Sequence, residues 1–306
     1  MTTQVSERLD ARVIGKMPTA AAGFPALPWC MLSGAVHAQN PPERGVAGKR
    51  ALITGAAGAI GSAAARALAA GGARVALVDL DPAPLAPLRD ELASASGRPA
   101  AAFPVLGGDV TDAGDVHRYT GAAADAMGGL DVLFNNAGIE GPVAPVQDYD
   151  DDEYERVMRI NVRGVWLNLK RAVTLMLQGD GGSVINMASG AALRGLPLLS
   201  GYVASKHAVL GLTRTAAVEL GDSGVRVNAV CAGPVATRMM HSLAERSADH
   251  GQTSVDEAHA DFVRPVPMGR YGEPEEIAEL VTFLASDASS YMTGAAISID
   301  GGASAA

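Results

Sequence analysis

The sequence predicts an α/β fold in which about seven parallel strands form one doubly wound sheet with helices on both faces. Short apolar runs without polar alternation recur along the chain, which is typical of strands buried on both faces. Stretches long enough for crossover helices separate these runs and predict parallel pairing. The apolar runs are residues 50–55, 74–79, 100–106, 131–135, 183–188, 225–231 and 296–299. The helical stretches include residues 60–70, 112–127, 151–177, 202–220 and 275–285.

Composition excludes several classes of protein. Of the 306 residues, 48% are hydrophobic and 19% are charged, which supports a large core and argues against disorder. The net charge is −9 and no basic cluster occurs, so a nucleic-acid partner is not expected. No apolar run approaches the roughly 20 residues of a membrane span. The two cysteines, Cys30 and Cys231, offer no disulfide framework or metal-ligand spacing, which predicts a reduced, cytoplasmic location.

The chain divides into an N-terminal extension and one domain. Residues 1–46 contain several prolines and show no sustained period, which predicts a flexible extension or translation from an upstream start codon. A secretory signal is the alternative, because basic residues there precede an apolar stretch. Residues 47–306 form the predicted dinucleotide-binding catalytic domain. Within it, residues 236–270 form one long irregular connection, which predicts a lid over a substrate.

A glycine-rich turn follows the first predicted strand and precedes a helix. Such a turn lets backbone N–H groups approach a pyrophosphate beside the positive end of the helix, although an ordinary tight turn also uses glycines. The second strand ends at Asp79, where a carboxylate can accept hydrogen bonds from an adenosine ribose. Together these signals favour dinucleotide binding over a plain turn. The candidate cofactor residues are Gly55, Gly58, Ala59, Ile60, Gly61, Asp79 and Leu80.

A tyrosine and a lysine lie four residues apart on a predicted helix. Tyr202 and Lys206 therefore share one helix face, about one turn apart. A nearby ammonium favours the phenolate and brings the pKa of a phenol toward the neutral range. Ser189 ends a predicted parallel strand, at the edge where such sheets bind ligands. Its hydroxyl could hold a substrate oxygen while Tyr202 transfers the proton, although a Tyr-x-x-x-Lys pair alone is common on solvated helices.

From about residue 49 to residue 302 the chain resembles the short-chain dehydrogenases/reductases, a family with a single-domain Rossmann-type fold. The resemblance is specific because several motifs occur in the family's order. These are the glycine-rich turn, Asp109-Val110, Asn135-Asn136-Ala137-Gly138, Asn161, Ser189, Tyr202 with Lys206, and Gly233-Pro234-Val235-Ala236-Thr237.

The resemblance implies a role for each matching residue. Asp109 and Val110 would flank the adenine, and the segment from Asn135 through Asn136 and Ala137 to Gly138 would pass the adenosine ribose. Asn161 would bend its helix and hold a water that links Lys206 to solvent. Lys206 would also bind the nicotinamide ribose. The loop that begins at Gly233 would bring Val235 and Thr237 to the carboxamide.

Two positions depart from the family pattern. Ala59 replaces the usual second glycine of the turn and adds a methyl group near the expected pyrophosphate. Ala232 replaces a proline that commonly precedes Gly233, which leaves the stiffness of that loop open. Neither change affects the proton-transfer group.

The predicted substrate pocket is mainly apolar. Its expected lining includes Leu193, Leu196, Met239 and Met240. Glu140 could meet a polar substrate group, but a solvated carboxylate is the favoured interpretation. Three histidines of segment 236–270 have no metal-ligand spacing, so no metal is expected.

The predicted function is interconversion of a secondary alcohol and a ketone with NAD as cofactor. A looser resemblance to cyclic-ketone reductases such as levodione reductase favours a small substrate that carries the reacting group on a ring. The family resemblance implies a homotetramer or homodimer. The alternatives are an NADPH-dependent 3-oxoacyl-carrier-protein reductase and a non-catalytic dinucleotide-sensing or scaffold protein. The second alternative normally lacks the tyrosine or the lysine, and both are present here.

Overall fold

The computed structural model describes residues 45–305. Of the predicted extension 1–46, only the last two residues fall in this range, and Cys30 also lies outside the described residues.

One parallel sheet of seven strands forms the centre of the described domain, which confirms the predicted fold class. The strand order is β3-β2-β1-β4-β5-β6-β7, so the order reverses between β1 and β4. Register is regular: Leu52 of β1 pairs with Ala76 on one side and with Leu133 on the other. The strands are β1 Arg50–Thr54, β2 Arg74–Asp79, β3 Val105–Gly107, β4 Val132–Asn135, β5 Gly182–Met187, β6 Val225–Ala232 and β7 Ala296–Ile299.

Helices cover both faces of this sheet. None of the helices within residues 45–305 is both long and apolar enough to cross a membrane. Their bounds are α1 Ala59–Ala70, α2 Leu85–Ser96, α3 Ala113–Met127, α4 Asp151–Met158, α5 Val165–Met176, α6 Ser200–Glu219, α7 Arg238–Gly251, α8 Val255–Val263 and α9 Pro274–Ala285.

The alternation of side chains along each strand divides the core into two layers. Ile53 faces a cluster with α1, α2 and α9, whereas its neighbour Leu52 faces a cluster with α3, α5 and α6. Successive strand residues point to opposite faces, so a strand covered on both sides must be apolar throughout. The central strands are buried and apolar on both faces, but the edge strands β3 and β7 are only partly buried. The expectation that all seven strands are buried on both faces is therefore wrong for these two.

Two elements around β2 and β3 differ from the sequence prediction. Residues 100–106 do not form one strand: a single 3-10 turn covers Ala100–Ala102, and β3 begins after Pro104. Proline has no N–H to donate to a strand ladder, which explains the late start. The helix Leu85–Ser96 was not predicted, although it buries Leu85, Leu88 and Leu92 against the sheet.

The predicted helix over residues 151–177 is interrupted. A π-helical turn, Arg159–Gly164, separates α4 from α5, and the buried Asn161 lies within it. Such turns mark places where a side chain enters the backbone ladder, and they are frequent at functional sites.

Residues 236–270, hereafter the lid segment, are not irregular. They contain α7 and α8, and each begins at a side-chain cap. The Thr237 hydroxyl accepts the Met240 N–H at 3.2 Å. Ser254 and Glu257 form a reciprocal capping box. The prediction of an irregular connection was wrong, and the Ser-x-x-Glu spacing was the signal that it overlooked.

The tight contact at Gly61 gives a prediction about stability. A Cβ atom at this position would lie 2.2 Å from the Gly55 carbonyl oxygen, so Gly61→Ala should destabilise the fold by roughly 1–3 kcal/mol. Gly121 in α3 has nothing within 4 Å of its Cβ position, so Gly121→Ala should stabilise by roughly 0.5–1 kcal/mol. Urea unfolding of both variants measures the effects, and a Gly61→Ala protein as stable as the parent would contradict the geometry.

Candidate active site

A cavity of about 330 Å³ opens at the carboxyl edge of the sheet. Its wall is built where β4, β5 and β6 end and where α1 begins, and the lid segment closes one side. Of the predicted cofactor and catalytic residues, those that reach this wall are Ile60, Asn136, Gly138, Ser189, Tyr202, Lys206, Gly233, Val235 and Thr237.

The glycine-rich turn connects β1 to α1 at the same edge. Gly55 has a φ of +65°, a conformation that side chains rarely adopt, and it makes the turn that reverses the chain. The N-cap of α1 is Gly58, which has no side chain to accept the first helical N–H groups. These N–H groups are therefore available to an anion at the positive end of the helix. Ala59 is the first residue of α1, and its methyl group is exposed.

Asp79 ends β2 beside this turn. Its carboxylate accepts the Ala57 N–H at 2.9 Å and the Leu80 N–H at 2.8 Å. The Leu80 side chain is 72% exposed, which is unusual for a leucine. Among residues 45–305, no lysine or arginine forms an ion pair with Asp79. The carboxylate therefore presents uncompensated negative charge next to the glycine-rich turn.

Asn136 and Thr54 join the ends of β1 and β4. The Asn136 amide donates to the carbonyl oxygens of Thr54 and Gly55 at 3.1 and 3.0 Å. The Thr54 hydroxyl accepts the N–H groups of Asn136 and Ala137 at 3.1 and 3.2 Å. This bridge fixes the glycine-rich turn relative to the Asn-Asn-Ala-Gly segment.

Ser189, Tyr202 and Lys206 meet in the cavity wall. Ser189 follows β5, while Tyr202 and Lys206 lie on the first turns of α6. The Lys206 Nζ atom is 5.5 Å from the centre of the Tyr202 ring and donates to the Met187 carbonyl at 2.9 Å. Lys206 is only 5% exposed. The structure thus brings together a hydroxyl, a phenol and a buried ammonium that are 13 and 4 residues apart in sequence.

Burial changes the acid–base properties of this pair. Desolvation lowers the pKa of Lys206 from its ordinary 10.5 to about 8. Desolvation also raises the pKa of Tyr202, an effect that its hydrogen bond to Ser189 opposes and that the charge of Glu140 reinforces. Without a ligand, the phenol is therefore protonated at neutral pH, and the ammonium beside it loses its proton more readily than a surface lysine does.

Asn161 connects the π-helical turn to the site. Its side chain accepts the Ile139 N–H at 2.9 Å and donates to the Ile139 carbonyl at 2.8 Å. It also donates to the Ser205 hydroxyl at 3.1 Å, and that hydroxyl donates to the Tyr202 carbonyl at 2.7 Å. Asn161 therefore fixes the first turn of α6, which contains Tyr202, relative to Ile139.

Asp109 and Val110 lie in the loop between β3 and α3. Asp109 accepts the Thr111 N–H at 2.8 Å, and its own N–H donates to the Asp115 carboxylate at 2.9 Å. Val110 packs on Gly164 at the end of the π-helical turn, where a Cβ atom would come within 2.9 Å of the valine side chain. Both residues lie beside the carboxyl edge but outside the cavity wall.

The apolar wall differs from the prediction at one residue. Leu196, Met239 and Met240 line the cavity, together with Leu243 and Phe262 of the lid segment. Leu193 does not line it, and its side chain is 41% exposed. The turn Gly190–Ala192 that begins at Ser189 directs Leu193 away from the cavity.

Glu140 is not the solvated carboxylate that the sequence favoured. It lines the cavity, its side chain is 17% exposed, and it forms an ion pair with Arg246 of α7. The two residues are 106 positions apart. No sequence signal links them, which is why Arg246 was missed. Arg194 was likewise absent from the predicted site, and unlike Arg246 it lines the cavity itself.

The histidines of the lid segment form a hydrogen-bonded pair. His241 and His259 stack with ring centres 5.5 Å apart and nitrogens 3.2 Å apart, and His259 also contacts the Tyr271 hydroxyl at 2.8 Å. Within residues 45–305, no group of three or more histidine, cysteine, aspartate or glutamate side chains is arranged to hold a metal ion. These contacts join α7 to α8 and to the segment that follows.

The carboxyl edge fits a dinucleotide. The uncapped N-terminus of α1 suits a pyrophosphate, the Asp79 carboxylate suits ribose hydroxyls, and the cavity beside Tyr202 and Lys206 leaves room for an aromatic ring. The arrangement can therefore accommodate a dinucleotide along the carboxyl edge and a mainly apolar substrate in the cavity beside Tyr202.

Comparison with known proteins gives consistent matches along the domain. A family profile described as enoyl-(acyl carrier protein) reductase matches residues 55–304. The chain is 39% identical over 256 residues to levodione reductase of Leifsonia aquatica, covering 83% of this chain and 94% of that protein. It is 42% identical over 264 residues to trans-4-hydroxycyclohexanecarboxylate dehydrogenase of Sinomonas cyclohexanicum, covering 85% and 94%.

Two solved structures are also similar to this chain in both fold and sequence. The crystal structure of levodione reductase superposes with a TM-score of 0.81 and 37% identity, covering 85% of this chain and 99% of that one. The structure of an NAD⁺-bound xylitol dehydrogenase gives a TM-score of 0.80 and 36% identity, covering 84% and 99%.

The buried ammonium predicts how stability depends on pH. The pKa of Lys206 is 10.5 in the unfolded chain and about 8 in the folded protein, so the unfolded chain binds more protons between these values. The free energy of unfolding should therefore rise with pH across this window. Between about pH 7 and about pH 10, the free energy of unfolding of the parent should increase by roughly 1–3 kcal/mol more than that of Lys206→Met.

Urea unfolding at the two pH values measures this gain. Lys170→Met, which removes an exposed ammonium on α5, is the matched control and should parallel the parent. Equal pH dependence of the parent and Lys206→Met would show that the ammonium is not desolvated.

Proposed function

The chain belongs to the short-chain dehydrogenase/reductase family, and from this premise we propose that it is an NAD-dependent oxidoreductase that interconverts a secondary alcohol and a ketone on a ring. The observation that carries the proposal is the meeting of Ser189, Tyr202 and Lys206 in one mainly apolar cavity. That combination suits proton transfer to or from an uncharged carbonyl oxygen.

Tyr202 is the proposed acid and base. In the direction of oxidation its phenolate takes the proton of the substrate hydroxyl, and in the direction of reduction its phenol returns the proton to the carbonyl oxygen. The Lys206 ammonium, 5.5 Å from the ring centre, favours the phenolate and so lowers the cost of that transfer. Ser189 would donate a hydrogen bond to the substrate oxygen. Asn161 would keep Tyr202 in position through Ser205.

The cofactor would be held along the carboxyl edge. A bound nicotinamide dinucleotide would supply the hydride acceptor or donor. The N–H groups of Ala59, Ile60 and Gly61 would bind its pyrophosphate, and Lys206 would bind the ribose of the nicotinamide half. The other proposed contacts are Gly55 and Gly58 in the turn, Leu80, Asp109 and Val110 around the adenine, Asn136, Ala137 and Gly138 beside the ribose, and Gly233, Val235 and Thr237 at the carboxamide.

NAD is the proposed cofactor rather than NADP. A 2′-phosphate next to the Asp79 carboxylate would place like charges a few ångströms apart, which costs about 1 kcal/mol in water and more in a partly desolvated cleft. The nearest cation along β2, Arg74, does not offset this cost. It starts the strand, and its guanidinium donates to the Met127 and Ala126 carbonyls at 3.0 Å. The same charge disfavours the alternative of an NADPH-dependent 3-oxoacyl-carrier-protein reductase.

A ring-bearing substrate is supported by the cavity and by the relatives. Leu196, Met239, Met240, Leu243 and Phe262 offer an apolar wall, and the two methionines can adapt to a ring. The name of trans-4-hydroxycyclohexanecarboxylate dehydrogenase indicates that this relative acts on such a compound.

Assembly into two or four copies and a cytoplasmic location complete the proposal. Large apolar side chains are exposed on α5, α6 and α9, among them Trp166, Val218 and Phe283, and assembly would cover them. The free, buried thiol of Cys231 is compatible with a reducing compartment.

Removal of the phenol hydroxyl tests the proposed chemistry. Tyr202→Phe should lower kcat about 10²- to 10⁴-fold, because the ring still packs but no proton can be transferred. NADH affinity, measured by fluorescence titration, should stay nearly unchanged. Tyr149→Phe is the matched control: it removes another hydroxyl that packs on α6 and has no hydrogen-bond partner among residues 45–305. Near-normal turnover by Tyr202→Phe would refute the mechanism.

Cofactor choice is tested at the end of β2. The parent should have a much higher kcat/KM with NADH than with NADPH, and Asp79→Ala combined with Leu80→Arg should reverse or abolish that preference. Asp81→Ala, which removes a neighbouring carboxylate that accepts the Ala83 N–H, should leave the preference unchanged. Equal kcat/KM values for the two cofactors with the parent protein would overturn the assignment to NAD.

A further inference from the structure

The charged residues of the cavity wall are not all paired. Besides Lys206, the wall contains Glu140, Asp261 and Arg194. Glu140 forms an ion pair with Arg246, and Asp261 forms one with Arg264 at 2.6 Å. No carboxylate of residues 45–305 lies within ion-pair distance of Arg194. The wall thus holds an arginine that makes no ion pair with the described residues. Although burial raises the pKa of the Asp300 carboxylate, its hydrogen bonds lower that pKa, and so does the charge of Arg194 from beyond ion-pair distance.

The guanidinium of Arg194 also has unused donors. Its Nη1 donates to the Ala303 carbonyl at 2.8 Å, whereas its Nε is buried and has no acceptor among the described residues. A guanidinium carries five N–H donors in a planar fork that matches a carboxylate. A buried donor without an acceptor is unfavourable, and an anionic group would relieve that cost.

Arg194 is held in a fixed position relative to the reacting groups. It follows the single turn Gly190–Ala192, which begins at Ser189, and the Ser189 hydroxyl accepts the Ala191 N–H at 3.1 Å. At its other end, the bond to Ala303 joins it to a C-terminal turn that the Asp300 carboxylate braces through the N–H groups of Gly302 and Ser304. A substrate that places its carbonyl oxygen at Ser189 therefore meets Arg194 in the same wall.

We propose that Arg194 determines specificity by binding an anionic group, a carboxylate in particular, on the part of the substrate remote from the reacting carbon. This inference rests on the proposed function, because it assumes that a ketone or alcohol occupies the cavity beside Tyr202. The preferred substrate is then a cyclic ketone or secondary alcohol that also bears a carboxylate.

A matched pair of substrates tests the proposal. The compounds are 4-oxocyclohexanecarboxylate and its neutral isostere 4-oxocyclohexanecarboxamide, each assayed with NADH. The parent should prefer the carboxylate by about 10- to 100-fold in kcat/KM, as expected for a charged hydrogen bond. Arg194→Gln should lose that preference, because kcat/KM should fall about 10- to 100-fold for the carboxylate and much less for the amide. Arg214→Gln, which removes an exposed arginine of α6, is the control for general charge effects and should retain the preference.

Two results would overturn the proposal. The parent could use both compounds equally well, or Arg194→Gln could lower kcat/KM for both by the same factor, which would make Arg194 only a clamp for the C-terminal turn. A binding measurement separates this failure from failure of the proposed function. Cyclohexanecarboxylate, but not cyclohexanecarboxamide, should raise the Tm of the parent in the presence of NADH, and Arg194→Gln should abolish the shift. If no ketone is reduced, the proposed function falls, and this shift still decides whether Arg194 binds the anion.

Discussion

The reversal of strand order between β1 and β4 is the constraint on which the site depends. The sheet continues from β1 through β2 in one direction and through β4 in the other, so the connections at the carboxyl edge diverge there and leave a crevice. Asn136 and Thr54 bridge that crevice with four hydrogen bonds that satisfy the last polar groups of β1. Because the glycine-rich turn and the Asn-Asn-Ala-Gly segment both start from this bridge, its geometry sets the distance between the proposed pyrophosphate site and the cavity.

A second set of hydrogen bonds fixes the position of α6 relative to the Asn-Asn-Ala-Gly segment. Asn161 binds both backbone groups of Ile139, directly beyond the Asn-Asn-Ala-Gly segment, and reaches the Tyr202 carbonyl through Ser205. The π-helical turn contains the buried Asn161 that makes these contacts, and such turns are frequent at functional sites. Burial of Lys206 opposes stability, as its lowered pKa indicates, and the ordered surroundings must offset that cost. The protein thus keeps an unfavourable buried ammonium beside a phenol, which is the arrangement that acid–base chemistry needs.

Much of this could be predicted from the sequence, and the failures have identifiable causes. The central strands are apolar on both faces, so the apolar runs in the sequence are enough to locate them. Because the strands are parallel, Ser189 then lies at the same edge of the sheet as the glycine-rich turn. The prediction that the lid segment is irregular failed because α7 is polar on average, although its apolar residues Leu243, Ala244 and Ala248 share one buried face. The capping box at Ser254 marked the start of α8. The exposure of Leu193 and the pairing of Glu140 with Arg246 depend on tertiary contacts that no local pattern encodes.

The pairing of Glu140 links the lid segment to the chemistry of Tyr202. A negative charge in the cavity wall disfavours the phenolate, and the charge of Glu140 does raise the pKa of Tyr202. Arg246 on α7, within the lid segment, brings an opposite charge into contact with that carboxylate and so offsets the repulsion. Burial from water strengthens the field of the Lys206 ammonium at the phenol, but it also raises the pKa of Tyr202 by desolvation. The contact of Arg246 with Glu140 is therefore the effect that favours the phenolate, although Arg246 itself does not line the cavity. In the proposed mechanism, the lid segment would therefore affect the pKa of Tyr202 through Glu140 as well as shape the apolar wall.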